Sequence, residues 1–129
     1  MLLTKAQNSP SNGITHKKVK VRLLIFFNDL SATEQQKFFH LVKRMGDFGF
    51  ISDKTKFRNE DDGIYAFKPQ PNRFLSFFYE GGKIIITNAF VKKSQKLKKQ
   101  DKDIAISARN DYLTRVKENT YYDTEQEHI

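Results

Sequence analysis

The stretch Ile64–Lys96, IYAFKPQPNRFLSFFYEGGKIIITNAFVKKSQK, decides how this chain is read. Three short apolar runs, Ile64–Lys68, Arg73–Tyr79 and Lys83–Val91, are separated by Pro69–Asn72 and by Gly81-Gly82. Pro and Asn are turn residues, and Gly takes the positive φ that a two-residue hairpin turn demands. The pattern predicts a β-meander of three strands. Its last strand empties into lysines: between Lys92 and Lys102, six lysines face one acid, Asp101. Lys68 and Arg73 flank the first hairpin, while Lys92, Lys93 and Lys96 close the last strand. Such a surface can hold a polyanion along its backbone for several nucleotides.

The rest of the composition narrows the class. A chain of 129 residues with 38% hydrophobic content supports one core, and twelve Phe and five Tyr supply large buried areas for it. The absence of Cys excludes disulfide scaffolds, thiolate zinc sites and cysteine nucleophiles. Lys and Arg number 23 against 15 Asp and Glu, a net charge of +8, which points to nucleic acid, an acidic protein or an anionic membrane surface. The membrane is the weakest of these, because no apolar run approaches the roughly 20 residues that span a bilayer. The N-terminus, MLLTKAQNSPSNGIT, lacks the apolar stretch of a secretory signal. A soluble cytoplasmic protein is expected.

Upstream of the meander, residues 1–16 have loop composition and read as a flexible arm. In HKKVKVRLLIFF, Val19, Val21, Leu23, Ile25 and Phe27 alternate with Lys18, Lys20 and Arg22, which predicts a first strand over Lys17–Phe27. Ser31 and Glu34 have capping-box spacing, and Phe38, Leu41, Val42 and Met45 share a helical face. They predict a helix over Ala32–Met45 that Gly46 caps, with Phe48 and Phe50 packed beyond it. Asn59–Gly63 reads as a turn. A last helix, from about Gln100 or Asp101 to Glu118, places Ile104, Ala108 and Tyr112 on one stripe. The expectation is an α+β domain over residues 17–118, a small antiparallel sheet in β-α-β-β-β-α order with helices packed on it, followed by an acidic polar tail at 119–129.

With the meander and its lysines in place, Ile64–Lys96 resembles the core of RelE/ParE-superfamily toxins, in the HigB-type, phage-associated branch. The resemblance lies in Ile64–Pro69, Arg73–Phe77, Gly81-Gly82, Ile84–Ala89 and the string Phe90-Val91-Lys92-Lys93-Ser94-Gln95-Lys96. The helix after it, through Arg109-Asn110-Asp111-Tyr112, is also similar. Three positions depart from the pattern: Lys68 stands where Arg is usual, Ala66 where Glu is usual, and Pro71 occupies a gap that often holds a basic residue. The resemblance implies a RelE-like fold and a ribosome-dependent mRNA endoribonuclease. It also implies a cognate antitoxin, typically a helix-turn-helix protein, and no metal or small-molecule cofactor.

The residue types suit that chemistry. The 2′-hydroxyl attacks its adjacent phosphate once a base takes its proton, cations stabilise the phosphorane, and an acid protonates the leaving 5′-oxygen. His16, His40 and His128 lie away from the meander, and Asp61-Asp62 sit in a turn, so neither a histidine pair nor two-metal cleavage fits. A Lys/Arg site remains, as in part of this family. Arg73 is the candidate phosphate clamp, because its planar fork matches two phosphate oxygens. Lys68 is a candidate base or transition-state cation, and Lys92 or Lys93 a general acid or second phosphate contact. Lys96 would guide RNA, and Tyr65, Phe67, Phe90 and Tyr79 could stack on a base. Against this, Lys98, Lys99 and Lys102 read as solvated surface, and Phe90 reads more readily as core than as a stacking platform. Competing functions are a catalytically degenerate RNA- or antitoxin-binding module, a ParE-like gyrase inhibitor, and a phage structural protein.

Overall fold

Seven main elements follow one another along the described residues. They are α1 (Ile14–Asp29), α2 (Ala32–Phe48), β1 (Phe57–Asn59), β2 (Tyr65–Phe67), β3 (Asn72–Tyr79), β4 (Lys83–Val91) and α3 (Lys99–Lys117). The computed structural model describes residues 14–94 and 96–118, so the expected arm, apart from its last three positions, and the expected tail lie outside the described residues. The fold is α+β, a four-stranded antiparallel sheet in the order β1-β2-β3-β4 with three helices. The expected element order is corrected: the first segment is a helix, and an additional short strand, β1, precedes the meander.

The correction at α1 has a physical cause. Val19, Lys20, Leu23, Leu24, Phe26 and Phe27 are the buried or half-buried positions, whereas Lys18, Val21, Arg22 and Ile25 are exposed. That spacing is the 3.6-residue period of a helix face. Val21 and Ile25, which completed the apparent alternation, stand 47% and 56% exposed. Helix α1 packs along β4.

Helix α2 begins as its sequence dictates. The Ser31 Oγ accepts from the Glu34 N–H at 3.1 Å, and the Ser31 N–H donates to Glu34 Oε1 at 3.1 Å. Its end differs from expectation. The helix runs past Gly46 to Phe48, and Gly49 takes the left-handed cap at φ +81, its N–H donating to the Met45 carbonyl at 2.8 Å. Phe48 and Phe50 do not pack; they are 69% and 67% exposed, and Ile51 enters the core instead.

The NEDDG segment is the β1–β2 turn: Asp61, Asp62 and Gly63 all have positive φ, and the Glu60 N–H donates to the Ile64 carbonyl at 2.8 Å. Between β3 and β4 a three-residue 3-10 turn, Glu80–Gly82, replaces the expected two-residue one. The sheet has two apolar faces. One carries Phe67, Phe74, Ile84 and Ile86 against Leu23, Phe38, Leu41 and Met45 of α1 and α2. The other carries Ile64, Ala66, Leu75, Phe77 and Ile85 against Ala105 and Tyr112 of α3. The α3 stripe is therefore rotated from the expected one, with Ile104 and Ala108 only half-buried.

Candidate active site

One irregularity in the sheet sets the site. Strands β3 and β4 pair in register from Tyr79↔Lys83 to Ser76↔Ile86, then resume at Leu75↔Asn88, leaving Thr87 as the extra residue of a bulge. The Thr87 hydroxyl donates to the Leu75 carbonyl at 3.1 Å. Because side chains alternate across a sheet, one extra residue exchanges the faces of everything after it. Ile84 and Ile86 lie on the α1/α2 face, but Phe90 lies on the α3 face, opposite Arg73. Asn88 Nδ2 then donates to the Asp101 carbonyl at 3.1 Å, tying β4 to the first turn of α3.

The chain leaves β4 at Val91 and crosses to α3 through residues 92–98, and a cavity of about 220 Å³ lies beneath this crossing. Lys68, Arg73, Phe90, Lys92, Lys93 and Lys96 all line it. Six of the nine candidate residues thus converge from three segments of the chain, whereas Phe67 is buried in the α1/α2-facing core and Tyr79 packs edge-on to Tyr112 at 5.3 Å between ring centres. Tyr65 also lies apart: it faces the other side of the sheet and stacks on Phe57 at 5.5 Å between ring centres, with Phe78 at 5.0 Å. Gln95 of the basic string lies outside the described residues.

Arg73 is held firmly. It is 9% exposed, and its Nη1 donates to Gln70 Oε1 at 3.3 Å and to the Asn72 carbonyl at 3.2 Å. Asn72 is itself buried and donates to Glu34 Oε2 at 3.2 Å, so the α2 capping box and the start of β3 are one hydrogen-bonded unit. The Lys68 Nζ donates to the Lys54 carbonyl at 3.1 Å. Desolvation first, then the nearby charge of Arg73, lowers the Lys68 pKa below its ordinary value, with smaller contributions from Arg58 and Lys92. Desolvation lowers that of Arg73 as well, with Glu60 opposing the shift in both residues. These are crowded cations with little internal compensation, an arrangement that favours an incoming anion.

A second groove adjoins the cavity through Glu60, Ser94, Lys96, Leu97 and Lys98 and encloses about 690 Å³. Arg58, Lys99 and Lys102 line its far part. Of the lysines read as solvated surface, Lys98 lines both spaces, Lys99 pairs with Asp103 at 2.8 Å, and Lys102 pairs with Asp62 at 2.9 Å. Arg58 and Glu60 carried no signal in the sequence, because β1 is only three residues long and shows no alternation. Pairing across the NEDDG turn is what brings Glu60 to the cavity and Arg58 to the groove.

Among the described residues no helix is long and apolar enough to cross a membrane. No curated protein matches the chain. The family model described as "Phage derived protein Gp49-like (DUF891)" matches residues 25–110, from within α1 to within α3, and so takes in the sheet and the whole crossing. The chain belongs to this Gp49-like, phage-derived family, a RelE-type toxin-like family whose members imply an antitoxin partner.

Proposed function

We propose that this protein is the toxin of a type II toxin-antitoxin system, of the HigB-type branch, and that residues 17–118 form a metal-independent endoribonuclease acting on mRNA at the ribosome. The observation that supports this best is the convergence of Arg73, Lys68, Lys92 and Lys93 on one cavity beside a cationic groove. Arg73, fixed by Gln70 and the Asn72 carbonyl, clamps the scissile phosphate and stabilises the phosphorane. Lys92 or Lys93 contacts the phosphate or protonates the leaving 5′-oxygen. Lys68 serves as the base or as a further cation, Phe90 stacks on a base, and Lys96 guides the strand into the groove. An acidic or amphipathic antitoxin segment laid across the same surface would neutralise it and exclude RNA.

The test is mRNA cleavage by the purified protein on translating ribosomes. Wild type should cut within the message, and Arg73→Ala should lose about 10²–10³ in rate, the usual effect of removing one preorganised contact to transition-state charge. Lys43→Ala, on the exposed side of α2, should cut normally. Growth arrest with intact mRNA and inhibited gyrase would overturn the reading.

A second reading is a degenerate binding module of the same fold. The engagement of Lys68 Nζ by the Lys54 carbonyl favours it, since that contact occupies part of a catalytic cation. RNA or antitoxin binding without any cleavage by the wild-type protein would select it.

A further inference from the structure

We propose that the Glu60 carboxylate is the proton acceptor for the 2′-hydroxyl, an assignment that rests on the endoribonuclease reading above and leaves Lys68 as a transition-state cation. Among the described residues, the acids lining the cavity are Glu60 and Asp101. Asp101 lies in the first turn of α3, where the helix dipole holds a negative charge. Glu60 differs. It is half-buried at the junction of the cavity and the groove, and its carboxylate makes no hydrogen bond or ion pair with a described residue.

Its backbone is nonetheless fixed. The Glu60 N–H donates to the Ile64 carbonyl at 2.8 Å, and the Asp61 N–H to Asn59 Oδ1 at 2.8 Å. Helix α3 grips the same turn from outside: Lys102 pairs with Asp62 at 2.9 Å, and Arg109 donates to the Asp62 carbonyl. Gly63 holds φ at +80, a conformation that side chains rarely adopt, and a Cβ there would lie 2.8 Å from Arg109 Nη1 and displace it. The neighbouring strand offers Ala66, buried and short, as part of the cavity floor beside Glu60. A carboxylate with a fixed backbone and no partner of its own therefore shares one small space with Arg73 and Lys68.

Desolvation and the charge of Arg73 lower the Lys68 pKa overall, and Glu60 opposes that shift. The Glu60 charge acts on Lys68, Arg73 and Lys102, in each case favouring their protonated forms. The Lys68 Nζ already directs a proton to the Lys54 carbonyl, a contact that its ammonium form makes and that suits it to the role of a cation. In the reaction the proton of the 2′-hydroxyl passes to Glu60 as the bond from the 2′-oxygen to phosphorus forms. The bond from phosphorus to the 5′-oxygen breaks, and that oxygen takes a proton from a lysine ammonium. The products are a 2′,3′-cyclic phosphate and a 5′-hydroxyl, with no other reactant consumed. Glu60 then gives its proton to solvent and the neutral lysine takes one up, which restores both groups.

The experiment compares wild type, Arg73→Ala, Glu60→Gln and Glu60→Asp in single-turnover mRNA cleavage on translating ribosomes across pH. RNA binding and thermal stability are measured alongside. Glu60→Gln is isosteric and should fold normally. It should cleave about 10²–10⁴ times more slowly, the usual contribution of a general base. It should bind RNA as tightly as wild type or more tightly, because a negative charge has left a cationic groove. The acid-side limb of the wild-type pH profile should be absent, and Glu60→Asp should restore part of the rate. A Glu60→Gln protein that cuts at the wild-type rate while Arg73→Ala is inactive would overturn the proposal and leave the endoribonuclease reading standing. So would a parallel loss of binding and stability. Failure of the wild type itself to cut would overturn both.

Discussion

The two faces of the sheet are built from the same strands and do opposite work. On the α1/α2 face, Phe38 and Phe74 meet at 4.1 Å between ring centres, with Phe26 edge-on to Phe74 at 5.9 Å, in a cluster of apolar side chains. On the α3 face the apolar cluster around Tyr112 covers only one end of the strands; at the other end Arg73, Lys68 and Phe90 line an open cavity. Adjacent residues of one strand, Arg73 and Phe74, therefore belong to different chemistries. The difference teaches that rigidity on one face is what lets the other hold like charges together. Cations that repel one another remain crowded only if the backbone carrying them cannot yield.

Substitutions on either side of β3 should separate these roles, beginning with the largest effect. Phe74→Ala empties a position that is wholly buried and should cost about 3–5 kcal/mol of stability, read by denaturant unfolding. If the protein lost less than a surface substitution does, the dry face would not be the support described. Arg73→Ala, one residue away, should lose about 2.7–4 kcal/mol of transition-state stabilisation in mRNA cleavage and little melting temperature. A variant that unfolded instead would make Arg73 a structural residue and erase the contrast.

Ser31→Ala tests how the faces are joined. It breaks the α2 capping box, whose Glu34 also holds Asn72 beside Arg73. About 0.5–2 kcal/mol of stability should be lost, with a measurable fall in cleavage rate. Stability loss with an unchanged rate would disconnect the cap from the site.

The smallest effect concerns Lys20, which lies at the α1–α3 contact, where Asp111 and Arg115 are paired at 2.9 Å. Burial, with the charge of Arg115 adding to it and Asp111 opposing, pushes its pKa down to about 8. A lysine whose folded pKa is lowered binds fewer protons folded than unfolded between that value and about 10.4. Stability should therefore rise with pH across that window in the wild type relative to Lys20→Met, and run parallel below it. Thermal melts of both proteins between neutral pH and pH 10 measure the difference. Curves that stayed parallel throughout would place Lys20 in water.

Much of this protein could be read from local sequence. The turns around Pro69–Asn72 and Asn59–Gly63, the Ser31/Glu34 cap and the β3–β4 hairpin were legible because each depends on residues a few positions apart. The nearness of Lys68 to Arg73 across the first hairpin followed from turn chemistry for the same reason. Other features depended on partners far along the chain. The apolar residues of α1 are numerous enough to satisfy either a two-residue or a 3.6-residue period, and only packing on β4 and α3 selects the helix, at the cost of leaving Val21 and Ile25 in water. Gly46 and Gly49 could each end α2, and the site of the cap depends on where the helix meets the core.

The sequence alone determined an antiparallel meander ending in concentrated positive charge, because turn geometry and side-chain alternation act over short distances. Tertiary structure decided which side chains share the cavity. The Thr87 bulge puts Phe90 opposite Arg73 on the α3 face, and the pairing of β1 with β2 brings Glu60 to the same cavity. A bulge and a three-residue edge strand are stable only through the strands and helix they lie against, so no local pattern records them.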